Sequence, residues 1–266
     1  MITDDKRVSE ILDDFQRRGL YGFERSRLEP SLTTSPASID RALNRLAAKG
    51  RVKRIRRDFH IILPVELSAQ GMIPYDWYLG DLMRSLGTPY YIGLQSAAAL
   101  YGAAHQQVQQ LQIVTPRQKR HIERPGLSIR FFRKQNFDAT PLRSHKGHSG
   151  MLLGSTPEAT AIDLIRYSRQ IGGPDAVLTI LGELAETIRP SDLVSASASE
   201  TESAHLQRLG WLLDRMEHPD LADPLHAALA RRPNLSRTRL DPAEGWQGSS
   251  RNRWKVVDNA DPQSDL

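Results

Sequence analysis

Apolar side chains at Val8, Ile11, Leu12 and Phe15 mark one face of a helix predicted over residues 6–18, stopped by Gly19. Residues 20–29 read as a short second helix or turn, broken by Pro30. Thr33, Thr34 and Ser35 then precede Pro36, whose missing donor costs nothing at a first helical position. A third helix is predicted over 36–49, with Ile39, Leu43, Leu46 and Ala47 inward, Arg41, Asn44 and Arg45 outward, and Gly50 as its exit. Residues 51–63 hold two β-rich runs about Arg57-Asp58, with Phe59, Ile61 and Leu63 alternating on one face. Three helices followed by a basic hairpin is the order of a winged helix-turn-helix, expected over residues 1–65.

The pattern then changes. A helix is predicted over 74–86 and a small-residue helix over 92–101, close-packed and central. Residues 108–115 and 127–132 read as strands between proline and glycine breaks. From Met151 the periodicity is helical, with Ser155-Thr156-Pro157-Glu158 as a capping signal and further helices over 174–187 and 204–216. Residues 191–204 read as a polar loop, Trp254 to Val257 as a final strand, and 259–266 as a frayed tail. The fold class expected is α+β: an N-terminal winged helix-turn-helix followed by a larger mixed α/β domain, rich in helices, over 66–258.

The length of 266 residues suits two domains, and 39% hydrophobic with 25% charged residues is a globular profile. Cysteine is absent, which removes disulfides and thiolate chemistry and fits a reducing compartment. No long apolar run or signal-peptide core is present, so a soluble cytoplasmic protein without a membrane partner is expected. Charge is more telling once the chain is split. Residues 1–65 carry 14 Lys and Arg against 9 Asp and Glu, whereas the remainder balances at 22 and 22. Between Asp40 and Arg57 there are eight basic residues and one acidic one, so a polyanion is the partner to test first. A second run, from Arg117 to Lys146, has nine basic residues against Glu123 and Asp138; it suits either an extension of a nucleic-acid surface or an acidic protein partner, beside the plain reading as solvated strand flanks.

Double-stranded DNA fits these placements. A helix enters the major groove, where arginine pairs with guanine O6 and N7 and asparagine with adenine N6 and N7; Arg41, Asn44 and Arg45 suit that reading. Ser38, near the helix start, suits a phosphate, and Lys53, Arg54, Arg56 and Arg57 on the hairpin would neutralise the flanking backbone. Catalytic chemistry has no comparable signature. There is no Walker loop, GxGxxG or GxSxG elbow, and His145 and His148 lack the HExxH glutamate and read as part of a polar turn. Asp163, among apolar neighbours, reads as paired with Arg166 or a tyrosine. A binding protein with no catalytic residue, metal or cofactor is therefore expected.

Several stretches together resemble the AbiEi family of abortive-infection antitoxins of type IV toxin–antitoxin systems. They are the N-terminal segment with its basic hairpin, YYIGLQSAAALYG at 90–102, QIVT at 112–115, STPEATAIDLI at 155–165 and LQRLGWLL at 206–213, so the resemblance runs to about residue 258. It implies an antitoxin whose winged helix represses its own promoter at repeated operator sites, while the larger C-terminal region counters a nucleotidyltransferase-like toxin encoded alongside, without a stable mutual complex. Residue roles carry over only to the winged-helix positions named above. Two other readings stay open: a transcriptional regulator whose C-terminal domain senses a ligand or protein, and a metal-dependent enzyme acting on nucleic acid.

Overall fold

The computed structural model describes residues 4–32, 34–103 and 110–264. Helix α1 (Asp4–Arg17) buries Val8 and Leu12. Residues 20–29, expected as a helix or turn, instead form strand β1 (Gly22–Glu24) and the start of a 3-10 helix (Arg25–Ser31), because Phe23 is drawn into the core opposite His60. In α2 (Pro36–Ala48) the Ser35 hydroxyl caps the Ser38 N–H at 3.3 Å. The buried face of α2 is Ile39, Ala42, Leu43 and Leu46, steps of three, one and three. Ala47, expected inward, is exposed, since a 100° rotation per residue brings Ala42 into that stripe and carries Ala47 past it.

Strands β2 (Val52–Arg56) and β3 (Phe59–Ile62) make the expected hairpin, and β1 joins it to give the order β1-β3-β2. Rather than alternating, all four residues of β3 are buried. The far side of this small sheet is covered too: a Cβ on Gly22 would meet Phe59, Tyr78 and Asp81 within 3.2 Å, so helix α3 (Leu79–Ser85) can approach only because no side chain stands there. The helix expected over 74–86 is broken into a 3-10 turn (Tyr75–Trp77) and α3.

The central element is a six-stranded mixed sheet in the order β6-β7-β5-β4-β9-β8. It comprises β4 (Tyr91–Ile92), β5 (Leu111–Thr115), β6 (Ile122–Arg124), β7 (Leu127–Arg133), β8 (Leu142–Gly147) and β9 (Gly150–Ser155). The expected helix over 92–101 loses its start to β4, and α4 (Leu94–Leu100) follows Gly93. The strand expected from Val108 runs from Leu111, residues 108 and 109 lying outside the described segments. The β8–β9 hairpin was not expected, and the helical pattern begins at α5 (Pro157–Arg166) rather than at Met151.

Side chains alternating across this sheet feed two cores. Tyr91, Val114 and Phe132 face a helical layer of α5, α6 (Gly173–Ala185), α7 (Pro190–Ala198), α8 (Ser203–Arg215) and α9 (Pro219–Leu229). On the other side Ile92, Ile113, Ile129 and Phe131 join Phe23, Leu43, Phe59 and Tyr78 in one continuous apolar cluster. Packing is therefore unbroken across residue 65, where the sequence suggested a boundary. Most of the loop expected over 191–204 is α7, started by Pro190 and held by buried Leu193 and Ala196. Asp163 is fully buried, accepting from Tyr91 Oη at 2.7 Å and from Lys134 Nζ at 2.8 Å; Arg166 instead binds Glu200 through both carboxylate oxygens at 2.6 Å.

Strands β10 (Thr238–Arg239) and β11 (Val256–Val257) return the chain to α8, where Trp254 covers Gly210 so closely that a Cβ there would lie 2.2 Å from the indole. The tail expected to fray is held as far as Gln263, whose N–H donates to Asp175 at 3.0 Å; Pro262 is buried, and residues 265 and 266 lie outside the description. Among the described residues no helix is long and apolar enough to cross a membrane.

Candidate nucleic-acid interface

Helix α2 and the β2–β3 hairpin present their polar faces to a common cleft, with a volume of about 330 Å³, lined by Arg25, Asp40, Asn44, Arg54, Arg57 and His60 among others. The helix side follows from periodicity: with Leu43 and Leu46 inward, Arg41, Asn44 and Arg45 are left exposed. Arg41 lies back along the helix start, donating to Ser38 Oγ at 3.1 Å and to the Ala37 carbonyl at 3.3 Å. Ser38 is thus engaged by its own helix, while the Asn44 side chain makes no hydrogen bond among the described residues.

The hairpin side is shaped by an irregularity in register. Arg54 pairs with His60 but Arg56 with Phe59, leaving Ile55 as an extra residue whose side chain is fully buried. Arg54 and Arg57 are exposed at the cleft. Lys53 points elsewhere. Its ammonium donates to the Gly71 carbonyl at 2.8 Å and to the Pro125 carbonyl, and burial lowers its pKa. Lys53 therefore ties the hairpin to the rest of the molecule, and the eight residues expected at one surface do not all meet there.

Arg56 opens onto a second groove, of about 430 Å³, which it shares with Lys119, Arg120 and His121 from the approach to β6 and with Arg124 at its end. The two basic runs, separated by some sixty residues in the chain, are neighbours in space. A strand edge brings them together: β6 ends the large sheet beside β2, with Lys53 bridging to the turn before β7.

Sequence reasoning did not single out Arg25 or His60. Arg25 lines the cleft, 3.2 Å from Glu29 and 3.6 Å from Asp40. His60 is 5% exposed; burial and the Arg54 charge push its pKa down to about 4, so it is neutral at pH 7. A histidine flanked by phenylalanine and isoleucine in a strand is a signal of burial, but nothing local announces what it faces. His145 and His148 are drawn apart by the β8–β9 hairpin: His145 Nε2 lies 3.3 Å from Tyr101 Oη, whereas His148 stacks on Trp77 at 3.9 Å. Among the described residues no group of three or more His, Asp or Glu is placed to hold a metal ion.

Residues 91–215 match the family model described as the AbiEi antitoxin C-terminal domain. The crystal structure of the RV2827C protein from Mycobacterium tuberculosis superposes with a TM-score of 0.67 at 17% identity, covering 97% of this chain and 91% of that one. This likeness shows a shared α+β fold along nearly the whole chain. An antigenic nucleotidyltransferase-like protein from Paracoccidioides brasiliensis aligns over 56% of this chain and 89% of its own at 11% identity, with a TM-score of 0.36, too low for its fold to bear on this one. No curated protein matches the sequence.

Proposed function

With an AbiEi antitoxin C-terminal domain at residues 91–215 as premise, we propose that the protein counters a nucleotidyltransferase-like toxin and represses its own promoter through residues 1–65, read as a winged helix-turn-helix. The observation that carries the DNA-binding half is the cleft at which exposed Asn44 of α2 meets exposed Arg54 and Arg57 of the hairpin, in the quarter of the chain holding the whole net charge of +5. In this reading α2 enters the major groove, Arg41, Asn44 and Arg45 read base edges, and Arg54, Arg56 and Arg57 neutralise phosphates. The groove lined by Lys119, Arg120 and Arg124 extends the cationic surface beside the hairpin. Lys53 is left out of the contact set because its ammonium is already held by two carbonyls.

Antitoxicity is assigned to the C-terminal region on the strength of the family match, acting without a stable complex with the toxin. The two activities separate in cells that express the toxin from the neighbouring reading frame and carry a promoter reporter. Full-length protein with Asn44→Ala, Arg54→Ala and Arg57→Ala should lose repression and still protect growth. Loss of both activities together in a protein of wild-type abundance would contradict the division of labour.

A further inference from the structure

The cleft between α2 and the hairpin contains a side chain that the fold leaves unsatisfied. His60 lines it, is 95% buried by its 5% exposure, and has a buried Nδ1 without a hydrogen-bond partner. Its ring is stacked on Phe23 with centroids 5.6 Å apart and planes at 23°, which fixes the imidazole plane. Arg25, also lining the cleft, is ion-paired, with Nη1 3.2 Å from Glu29 and Nε 3.6 Å from Asp40. A buried polar atom left unpaired opposes folding, and the His60 Nδ1 in this cleft points to a ligand that completes it.

The surrounding charges define that ligand. Arg25, Arg54 and Arg57 outnumber Asp40 and Asp58 around the cleft. Arg25 is occupied by Glu29 and Asp40, but Arg57 has no hydrogen bond or ion pair among the described residues, and the hydrogen bond described for Arg54 is one of 3.4 Å to the Arg56 carbonyl. A neutral imidazole supplies one N–H donor, and two guanidinium groups at the rim supply positive charge and further donors. A cation would be repelled by that rim, and an apolar group would strand every donor. We propose that this cleft is a phosphate-oxyanion site, with His60 at its base and Arg54 and Arg57 at its mouth. The oxyanion has two sources, a backbone phosphate of bound duplex or a free phosphorylated small molecule. The duplex source rests on the DNA-binding reading above, and the small-molecule source does not.

The test uses the full-length chain, His60→Phe and Arg57→Gln. Phenylalanine retains a ring against Phe23 while removing both nitrogens, and Arg57 is exposed at a turn, so its replacement leaves packing alone. Should H60F fail to melt cooperatively, His60→Asn takes its place. Each protein is titrated with the duplex upstream of its own gene by fluorescence anisotropy, and with inorganic phosphate by thermal shift. A duplex phosphate in the cleft predicts that H60F and R57Q each weaken duplex binding by roughly tenfold or more, since hydrogen bonds to charged groups are the strong ones. Because His60 is buried and neutral, its loss cannot be ascribed to a general fall in surface charge. A free phosphate predicts a rise in the wild-type melting temperature that both variants abolish, with duplex affinity unchanged by H60F. Wild-type protein that ignores the duplex but shows that phosphate response overturns the DNA reading and supports the site. Variants matching wild type in both titrations, or a wild type responding to neither ligand, would overturn the site itself.

Discussion

Lys53 and Arg54 are adjacent cations with opposite surroundings, one turned onto two backbone carbonyls and the other left at the cleft. Alternation along a strand predicts that they point apart, but not which of the two would find carbonyls from residues 18 and 72 positions away. The same limit hid His60, whose neighbours in sequence show burial while the cleft it lines is assembled from three other segments. Its depressed pKa has a consequence for stability. Unfolded His60 takes up a proton near pH 6.5 and folded His60 only near pH 4, so its contribution to stability is present above pH 6.5 and is lost as the pH falls toward 4. For a shift of that size the loss is on the order of 3 kcal/mol. Urea unfolding at pH 7 and pH 4.5 should show it, and H60F should flatten that interval; an unchanged slope in H60F would contradict the assignment. Glu200 acts in a lower window. Burial alone would raise its carboxyl, but the adjacent His205 ring, the Glu202 N–H and Arg166 hold it at about 2, so its stabilising effect is lost only as the pH falls from about 4.5 toward 2.

Asp163 shows what was legible at a single position. A lone carboxylate among alanine, isoleucine and leucine must be paired, and tyrosine was among the expected partners. The other partner, Lys134, lies just beyond the end of β7 and could not be read from local spacing. Lys134→Met leaves that carboxylate buried with one hydrogen bond and should cost about 3–5 kcal/mol, as breaking one side of a buried pair does. Chemical denaturation measures it; a loss below about 1 kcal/mol would mean that Tyr91 alone suffices.

At the scale of elements, helices with caps and regular stripes were legible: α1, α2, α5, α6 and α8 lie close to their expected positions. Elements defined by distant partners were not. The β8–β9 hairpin contains Arg143, His145 and Lys146 with little apolar alternation and exists through pairing with β4, and α7 looks polar because only Leu193 and small residues face the core. The α8 stripe gives an element-scale prediction. Trp254 rests on Gly210 and donates its indole N–H to Asp214 at 2.6 Å, so Gly210→Ala must displace the indole and with it the β10–β11 strap. The expected loss is about 1–3 kcal/mol, the usual cost of overpacking. It should appear as a lower urea midpoint with increased solvent exposure of tryptophan fluorescence; a midpoint equal to wild type would show that the strap shifts freely.

For the whole molecule, the shared apolar cluster running from Val8 to Leu152 makes the N-terminal unit a layer on the central sheet. Separating it at residue 65 would expose Phe59 and Phe23 where Tyr78 and α3 now cover Gly22. Composition and charge located the cationic quarter, yet the nearness of the second basic run to Arg56 depends on β6 lying beside β2, a fact of topology that spacing along the chain does not contain. The central claim is that this surface grips duplex phosphates through Arg54, Arg56 and Arg57 while Arg41, Asn44 and Arg45 read bases. Its most direct test is a salt titration of full-length protein on its own upstream duplex and on a scrambled duplex. Replacing the three hairpin arginines should weaken both duplexes alike and flatten the slope of log K against log salt by about 0.9 per lost phosphate contact. Replacing the three helix residues should erase the preference between duplexes, at ~1–3 kcal/mol per lost bidentate contact. Binding that is unaltered by both sets of substitutions, with a salt slope unchanged from wild type, would contradict the account.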